Sequence, residues 1–393
     1  MNNYMILISY LSLLVWIYLA LLHGRRNISK DHFFWSNKII FEKLQLQQIN
    51  HDPKICAIIP ARNEEKTILK TLNSLKKQNI ENLYIIVVDD NSSDKTSSVV
   101  NFFKKKFKST YLLTSKDLPT GWVGKAWALK QGVDFANKKY FDYYTFIDSD
   151  IVIKKNLLKK VSSFMSSRKL LMISLMAKLN CESVWEKVLI PPFIFFFQKL
   201  YPFNSVINYK SKISAAAGGF IFCQAEIFRE INLYNQIKNK VIDDCNIAKL
   251  LKKRGRIWLG LTNQVISKRK YHCFREIWNM VTRTAFEQLK YSFILLIISL
   301  LGLIVTYLLP YLLIFLSFTN LITDELSVNL LIPNILSIII MLVVFYPTVH
   351  FYKIKKMYVF ILPISAIIYG AMTFASALNY FLFKGNSWKG RVY

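Results

Sequence analysis

Four apolar stretches set the terms for this chain. Tyr4 to Leu22, Phe293 to Phe318, about Asn329 to Val349, and Tyr358 to Phe383 contain no charged residue. Each is close to the ~20 residues a helix needs to cross a bilayer. The first lacks a basic leader and a small-residue cleavage site, so it reads as a retained anchor rather than a signal peptide. His23-Gly24-Arg25-Arg26 follows it and puts that end in the cytoplasm. Asp324 and Glu325 between the second and third stretches, and Lys353, Lys355 and Lys356 between the third and fourth, agree with a cytoplasmic intervening domain. The expectation is a multi-pass protein of the inner (plasma) membrane. Four complete spans send Lys384, Lys389 and Arg391 outside with the C-terminus. Either a short tail breaks the charge rule, or one stretch is re-entrant or interfacial.

Composition agrees with a membrane portion: 53% of residues are hydrophobic, with 29 Phe and 21 Tyr. The net charge of +28 suits an anionic partner, whether nucleic acid, an anionic leaflet or a nucleotide phosphate. Charge alone does not choose among these, and a general bias toward Lys, Asn and Ile accounts for it equally well. No nucleic-acid reader motif accompanies it, so nucleic acid is not an expected partner. Cys56, Cys181, Cys223, Cys245 and Cys273 are widely spaced, with no Cys-x-x-Cys pair and no His placed to complete a zinc site. They read as reduced, mostly buried thiols, and His272 beside Cys273 is not by adjacency a nucleophilic dyad.

Between the first and second stretches the pattern alternates. Lys54 to Pro60, Leu83 to Val88, Thr110 to Leu113 and Tyr143 to Ile147 are short apolar or β-branched runs that read as buried strands. Helical spacing lies between them, as at Ile68, Leu69, Leu72 and Leu75 and from about Lys125 to Ala136. Strands alternating with helices give an α/β fold whose mostly parallel sheet is covered on both faces. Leu170 to Leu175 and Phe220 to Phe222 read as further strands. Ile242-Asp243-Asp244 opens a helix that stops at Lys252-Lys253-Arg254-Gly255. Ile190 to Phe197, too short and too proline-broken to span, reads either as an interfacial segment near a lipid-facing channel or as core. The expected organisation is an anchor over 1–26, a linker over 27–52, an α/β domain over 53–290, and about three spans with a tail over 291–393.

Carboxylates gather where strands end or helices begin: Asn63-Glu64, Asp89-Asp90, Asp148-Ser149-Asp150 and Asp243-Asp244. Ligands of open α/β sheets bind at the carboxyl edge of the strands. There Asp90 could accept hydrogen bonds from a base or ribose, and Asp148 with Asp150 could hold Mg²⁺ or Mn²⁺ on a diphosphate. Such pairs also serve as helix caps and solvated turns. Asp244 or Asp243 could take a proton from an attacking hydroxyl, a role compatible with capping the helix they start. Lys125, just after Gly124 at a helix start, suits phosphate, though a solvated lysine is the plainer reading. Gly218 and Gly219, after Ala215-Ala216-Ala217, allow close approach of the backbone.

These segments resemble family 2 glycosyltransferases, which have a GT-A fold. The resemblance is carried by Ile58-Ile59-Pro60-Ala61-Arg62-Asn63-Glu64, Val87-Val88-Asp89-Asp90 and Asp148-Ser149-Asp150. Leu118 to Leu129, Ala216-Ala217-Gly218-Gly219, Ile242-Asp243-Asp244-Cys245, Gly255 to Leu261 and Thr282 to Ser292 are similar to the hopene-associated subgroup, HpnB. The resemblance implies a nucleotide-sugar site at Pro60, Asn63, Glu64, Asp89, Asp90, Lys125, Asp148 and Arg283. It also implies a metal at Asp148 and Asp150, a base at Asp244 with Asp243 beside it, and an acceptor side at Gly218 and Gly219. Processive relatives carry an Arg-Trp pair where this chain has Arg283-Thr284-Ala285, which argues for transfer of one sugar rather than polymer synthesis. The implied function is transfer from a UDP- or GDP-linked sugar to a lipid hydroxyl, a hopanoid by the subgroup's name, or a carotenoid or polyprenyl phosphate. Other classes are a metal-dependent nucleotidyltransferase, which would want a Gly-rich triphosphate loop where Ala61-Arg62-Asn63-Glu64 stands, and a non-catalytic membrane scaffold.

Overall fold

The computed structural model describes residues 2–23, 39–44, 52–318, 324–383, 387–388 and 391–392. Most of the expected linker, the basic pair Arg25-Arg26, and the tail residues Lys384 and Lys389 lie outside them. The chain forms two compact units, neither continuous in sequence: Asn37–Asn180 with Phe203–Lys270 and Ser387–Tyr393, and Met1–Ser36 with Cys181–Pro202 and Tyr271–Asn386. The expected 53–290 domain is therefore interrupted, because residues 181–202 and 271–290 pack with the apolar helices.

The first unit is built on eight strands: β1 (Ile55–Ala61), β2 (Leu83–Asp89), β3 (Thr110–Thr114), β4 (Tyr143–Ile147), β5 (Ile151–Ile153), β6 (Leu170–Lys178), β7 (Phe220–Gln224) and β8 (Arg256–Ser267). They form one sheet in the order β3-β2-β1-β4-β7-β6-β8-β5. β1, β2, β3 and β4 run parallel. β7 is antiparallel to both β4 and β6, and β8 is parallel to β6. β1, β2, β4, β6 and β8 thus deliver their carboxyl ends to one edge, where β7 begins. Burial on both faces explains the unbroken apolar runs of β1 and β2, every residue of β1 being buried. β8 interrupts its apolar run with Thr262, Asn263 and Gln264, and β5 has three residues, so neither stands out by pattern. The stretch 39–44 is more than a spacer: Phe41 is fully buried against Phe164 and Trp258, and the Glu42 carboxylate accepts from Thr262 Oγ1 and Asn263 N at 2.6 Å.

The second unit holds four helices long and apolar enough to cross a membrane, at Tyr4–Leu21, Phe293–Ser317, Val328–Tyr352 and Lys356–Leu382. Their outward faces carry large apolar side chains, among them Leu7, Ile294, Phe315 and Phe360. Aqueous solvent disfavours such a surface and hydrocarbon accepts it. The helix Phe293–Leu303 passes through a π-turn at Ile304–Leu308, where the carbonyl of Thr306 accepts from the Trp16 indole at 2.9 Å. Expected to be broken by proline, residues 190–197 lie instead within one helix, Val184–Leu200. Pro192 has no N–H for the carbonyl of Val188, and Ser365 Oγ donates to that oxygen at 2.8 Å. Tyr369 Oη donates to the next carbonyl, of Leu189, also at 2.8 Å. Leu189, Ile190, Ile194 and Phe195 are buried, so this segment packs as core in its unit. Of the cysteines, Cys56 and Cys223 are buried, whereas Cys273 is exposed and Cys181 and Cys245 are partly so.

Candidate active site

The turns after β1 and β2 are built together. Asn63 and Asn91 both take left-handed backbone, a conformation Asn tolerates better than most residues. Asn63 Oδ1 accepts from Ser93 N at 2.8 Å, and Asn63 N donates to Ser92 Oγ at 3.0 Å. Asp89 is spent on its own loop: one oxygen accepts from Ser92 N at 3.0 Å and the other from the Ser97 hydroxyl. Asp90 is buried beside Arg62, whose Nη1 stands 3.8 Å from Asp90 Oδ2 and donates to its carbonyl at 2.6 Å. Asp89 thus holds its own loop, whereas Asp90 is turned toward Arg62.

At the end of β4 the two aspartates part ways. Asp148, partly exposed, pairs with Lys125 Nζ at 3.0 Å. Asp150 is buried, and its Oδ2 accepts from Arg269 Nε at 3.0 Å. Arg269 Nη2 reaches Glu64 Oε1 at 2.7 Å, so one guanidinium joins the ends of β1 and β8 to the Asp150 turn. Burial raises the Asp150 carboxyl above the usual range despite Arg269. The turn itself is held by Thr71 Oγ1, which donates to the carbonyl of Ser149 at 2.8 Å. Sequence reasoning missed Arg269 because it missed β8. The signal available was the basic run Lys268-Arg269-Lys270 after a segment that, once recognised as a parallel strand, ends at the site edge.

The other pair starts the helix Asp243–Lys252. Lys125, in the first turn of the helix Gly124–Ala136, extends its Nζ to within 3.7 Å of Asp243 Oδ2. Burial disfavours the lysine's charge, but Asp148, Asp243 and Asp244 outweigh it and hold Lys125 above the ordinary lysine range. Burial, and then the adjacent Asp243 charge, push Asp244 up to about 7 against the pull of Lys125. Asp244 Oδ1 accepts from Cys245 N at 2.7 Å. Gly218 is the point of close approach: a β-carbon there would stand 3.1 Å from Asp244 Oδ2 and 3.2 Å from Lys125 Nζ. A β-carbon on Gly219 would meet Ala177 and Ile151 instead, so that glycine serves packing. Ser174 Oγ accepts from Ala217 N at 2.8 Å and pins this segment to β6. Pro60, Lys125, Asp148, Gly218 and Asp243 line one cavity of about 230 Å³, mouth included. Arg283 follows the helix Phe274–Thr282 and belongs to the apolar unit.

Whether these residues suit a divalent ion depends on their oxygens. Among the described residues no group of three or more His, Cys, Asp or Glu side chains is arranged to hold a metal. Asp148 and Asp150 nevertheless offer hard oxygen donors, and Mg²⁺ or Mn²⁺ takes one or two carboxylates together with substrate phosphates. Asp148 fits that role directly, and Asp150 fits it on sharing its oxygen with Arg269.

The site edge thus combines a mixed sheet, acidic strand ends and a helix opening on two aspartates. Residues 56–231 match the Glycosyl transferase family 2 model. Its fold is similar to that of the mannosyltransferase PcManGT from Pyrobaculum calidifontis in complex with GDP-Man and Mn²⁺, with a TM-score of 0.51, 14% identity, and coverage of 97% of this chain and 99% of that one. An uncharacterised protein of Methanocaldococcus jannaschii is 41% identical over 111 residues, 27% of this chain and 45% of its own. The 4,4'-diaponeurosporenoate glycosyltransferase of Staphylococcus haemolyticus is 28% identical over 134 residues, 34% of each chain. The GalNAc(5)-diNAcBac-PP-undecaprenol β-1,3-glucosyltransferase of Campylobacter jejuni is 33% identical over 98 residues, 25% of this chain and 30% of its own. The matches span less than half the length of each of these three relatives.

Proposed function

We propose that this chain is a membrane-bound, inverting glycosyltransferase that moves one sugar from a UDP- or GDP-linked donor to a hydroxyl of a lipid. The observation that carries this reading is Asp244, a carboxyl of raised proton affinity set beside Lys125 and Asp148 at the carboxyl edge of the sheet. Four apolar helices and the lipid names of two relatives support a lipid acceptor. A hopanoid is the first candidate, with a carotenoid or polyprenyl phosphate as alternatives. The reading places the domain on the cytoplasmic side of the plasma membrane.

In this mechanism Asp90 and the Asn63-Glu64 turn hold the nucleotide, and Lys125 meets the diphosphate with its ammonium. Asp148 and Asp150 would hold Mg²⁺ or Mn²⁺, which supplies charge stabilisation to a departing diphosphate. The acceptor hydroxyl attacks the anomeric carbon from the face opposite the diphosphate. The new C–O bond forms as the bond to the diphosphate breaks, and Asp244 takes the hydroxyl proton. A carboxylate with a proton affinity near neutrality suits that role, since it is ionised above pH about 7 and still basic enough to accept a proton. With no side chain, Gly218 lets Asp244 and Lys125 lie close against the backbone at the site.

Asp244→Asn, purified in lipid nanodiscs and supplied with UDP- and GDP-linked hexoses and a bacterial lipid extract, tests the assignment. Turnover is expected to fall by about 10²–10⁴-fold, the usual worth of a positioned base. Donor binding, followed by calorimetry, is expected to persist. Unchanged turnover removes Asp244 from the role.

A further inference from the structure

Tyr234, in the short helix Leu233–Gln236, is 2% exposed. Its ring packs against Phe146 and Phe228, with centroids 6.1 and 6.3 Å away. The phenol oxygen is buried and has no hydrogen-bond partner among the described residues. A phenylalanine would make the same ring contacts without burying an unsatisfied hydroxyl, so packing alone does not account for the tyrosine. Tyr234 lines the same cavity as Lys125, Asp148, Gly218 and Asp243. Asp243 is also short of donors: it is 7% exposed, and the one partner the structure gives its carboxylate among the described residues is Lys125 Nζ at 3.7 Å, beyond hydrogen-bond distance. A buried hydroxyl without a partner and a carboxylate with only a distant cation thus border one cavity. Buried waters occupy sites where such groups converge.

We propose that an ordered water in this cavity joins Tyr234 Oη to the Asp243 carboxylate, making Tyr234 a positioning residue for the acidic pair. The inference rests on the reading of Asp243 and Asp244 as the basic end of the site. The water fixes the Asp243 rotamer against Lys125, and through it the placement of Asp244 next door. The acidic and basic side chains around the cavity are Lys125, Asp148 and Asp243 on its wall and Asp244 beside Lys125 and Gly218.

Tyr234→Phe in the full chain tests this. A purely structural tyrosine predicts an equal or higher melting temperature and undiminished turnover. The proposal predicts an equal or higher melting temperature with kcat at least about tenfold lower, the scale expected when a catalytic group is misplaced, and donor KM within about twofold of the parent. The assay uses radiolabelled UDP-glucose and GDP-mannose with a bacterial lipid extract. Undiminished kcat overturns the proposal, and so does a loss of activity that tracks a lower melting temperature. A structure of the parent chain that shows no water within hydrogen-bond distance of both Tyr234 Oη and Asp243 also overturns it. Asp244→Asn, assayed alongside, separates the two readings. Turnover retained there defeats the base assignment, whereas an inactive Asp244→Asn beside an unimpaired Tyr234→Phe defeats the present inference alone.

Discussion

At the end of β4, Asp148 faces Lys125, and Asp150 faces Arg269, which also reaches Glu64. At the start of the helix Asp243–Lys252, two adjacent carboxylates face Lys125 alone. The difference sorts their chemistry. Burial and the neighbouring Asp243 charge raise the proton affinity of Asp244 against the pull of Lys125, whereas Asp148 stands 3.0 Å from that ammonium. On the proposed function, two acidic pairs that look alike in sequence serve as the binding half and the proton-accepting half of one site.

Several substitutions would break or sharpen this contrast. The largest effect is expected at Asp148, which is partly exposed and directly on Lys125. Asp148→Asn, or EDTA treatment of the parent, is expected to lower turnover by about 10²–10³-fold through lost stabilisation of the departing diphosphate, measured as initial rate. Full turnover in EDTA would remove the metal from the account. Asp150→Asn should differ in kind. It removes one carboxylate from Arg269, and breaking a buried pair costs about 3–5 kcal/mol. Arg269 is itself 43% exposed, so solvent screening reduces the expected loss to about 1–2 kcal/mol, read as a lower denaturation midpoint. Equal effects of the two substitutions on the midpoint would erase the distinction between the aspartates. Gly218→Ala should be the mildest. The new methyl group must displace Asp244 Oδ2 or Lys125 Nζ by a few tenths of an ångström, and a ~3–10-fold loss of kcat with the fold intact is expected.

The strand ends that carry Asp90 and Asp148 were largely legible from sequence. The β1, β2 and β4 runs are buried on both faces, so their strands show as continuous apolar stretches, and the carboxylates that end them mark the edge. The helix opening at Asp243 was legible from its acidic first turn and its basic stop. Less could be read where identity depends on pairing. That β7 and β5 run antiparallel to their neighbours is a matter of partners, not of their own residues. β8 conceals itself with three polar residues in mid-strand, and with it went Arg269 and the account of what Asp150 touches. The helix Val184–Leu200 looked proline-broken because the hydroxyls of Ser365 and Tyr369, which answer its carbonyls, lie far away in sequence. Tyr234 gave no signal at all. Its meaning arises from a cavity that forms only in the fold.

The raised proton affinity of Asp244 has two opposite consequences with pH. Its carboxyl is held up to about 7 in the fold, against an ordinary value of 3.8. The ionised form is therefore penalised by folding, and this group's contribution to stability improves as pH falls from about 7 toward about 4. Catalysis needs that same ionised form, so activity is lost over the range in which the fold gains. The most direct test is the pH dependence of the single-turnover rate with a saturating sugar nucleotide and lipid extract, measured from pH 5 to 9 beside the denaturation midpoint. The account predicts a rate that rises through an apparent pKa near 7. A rate flat across that range, or one falling as pH rises through 7, would contradict Asp244 as the base.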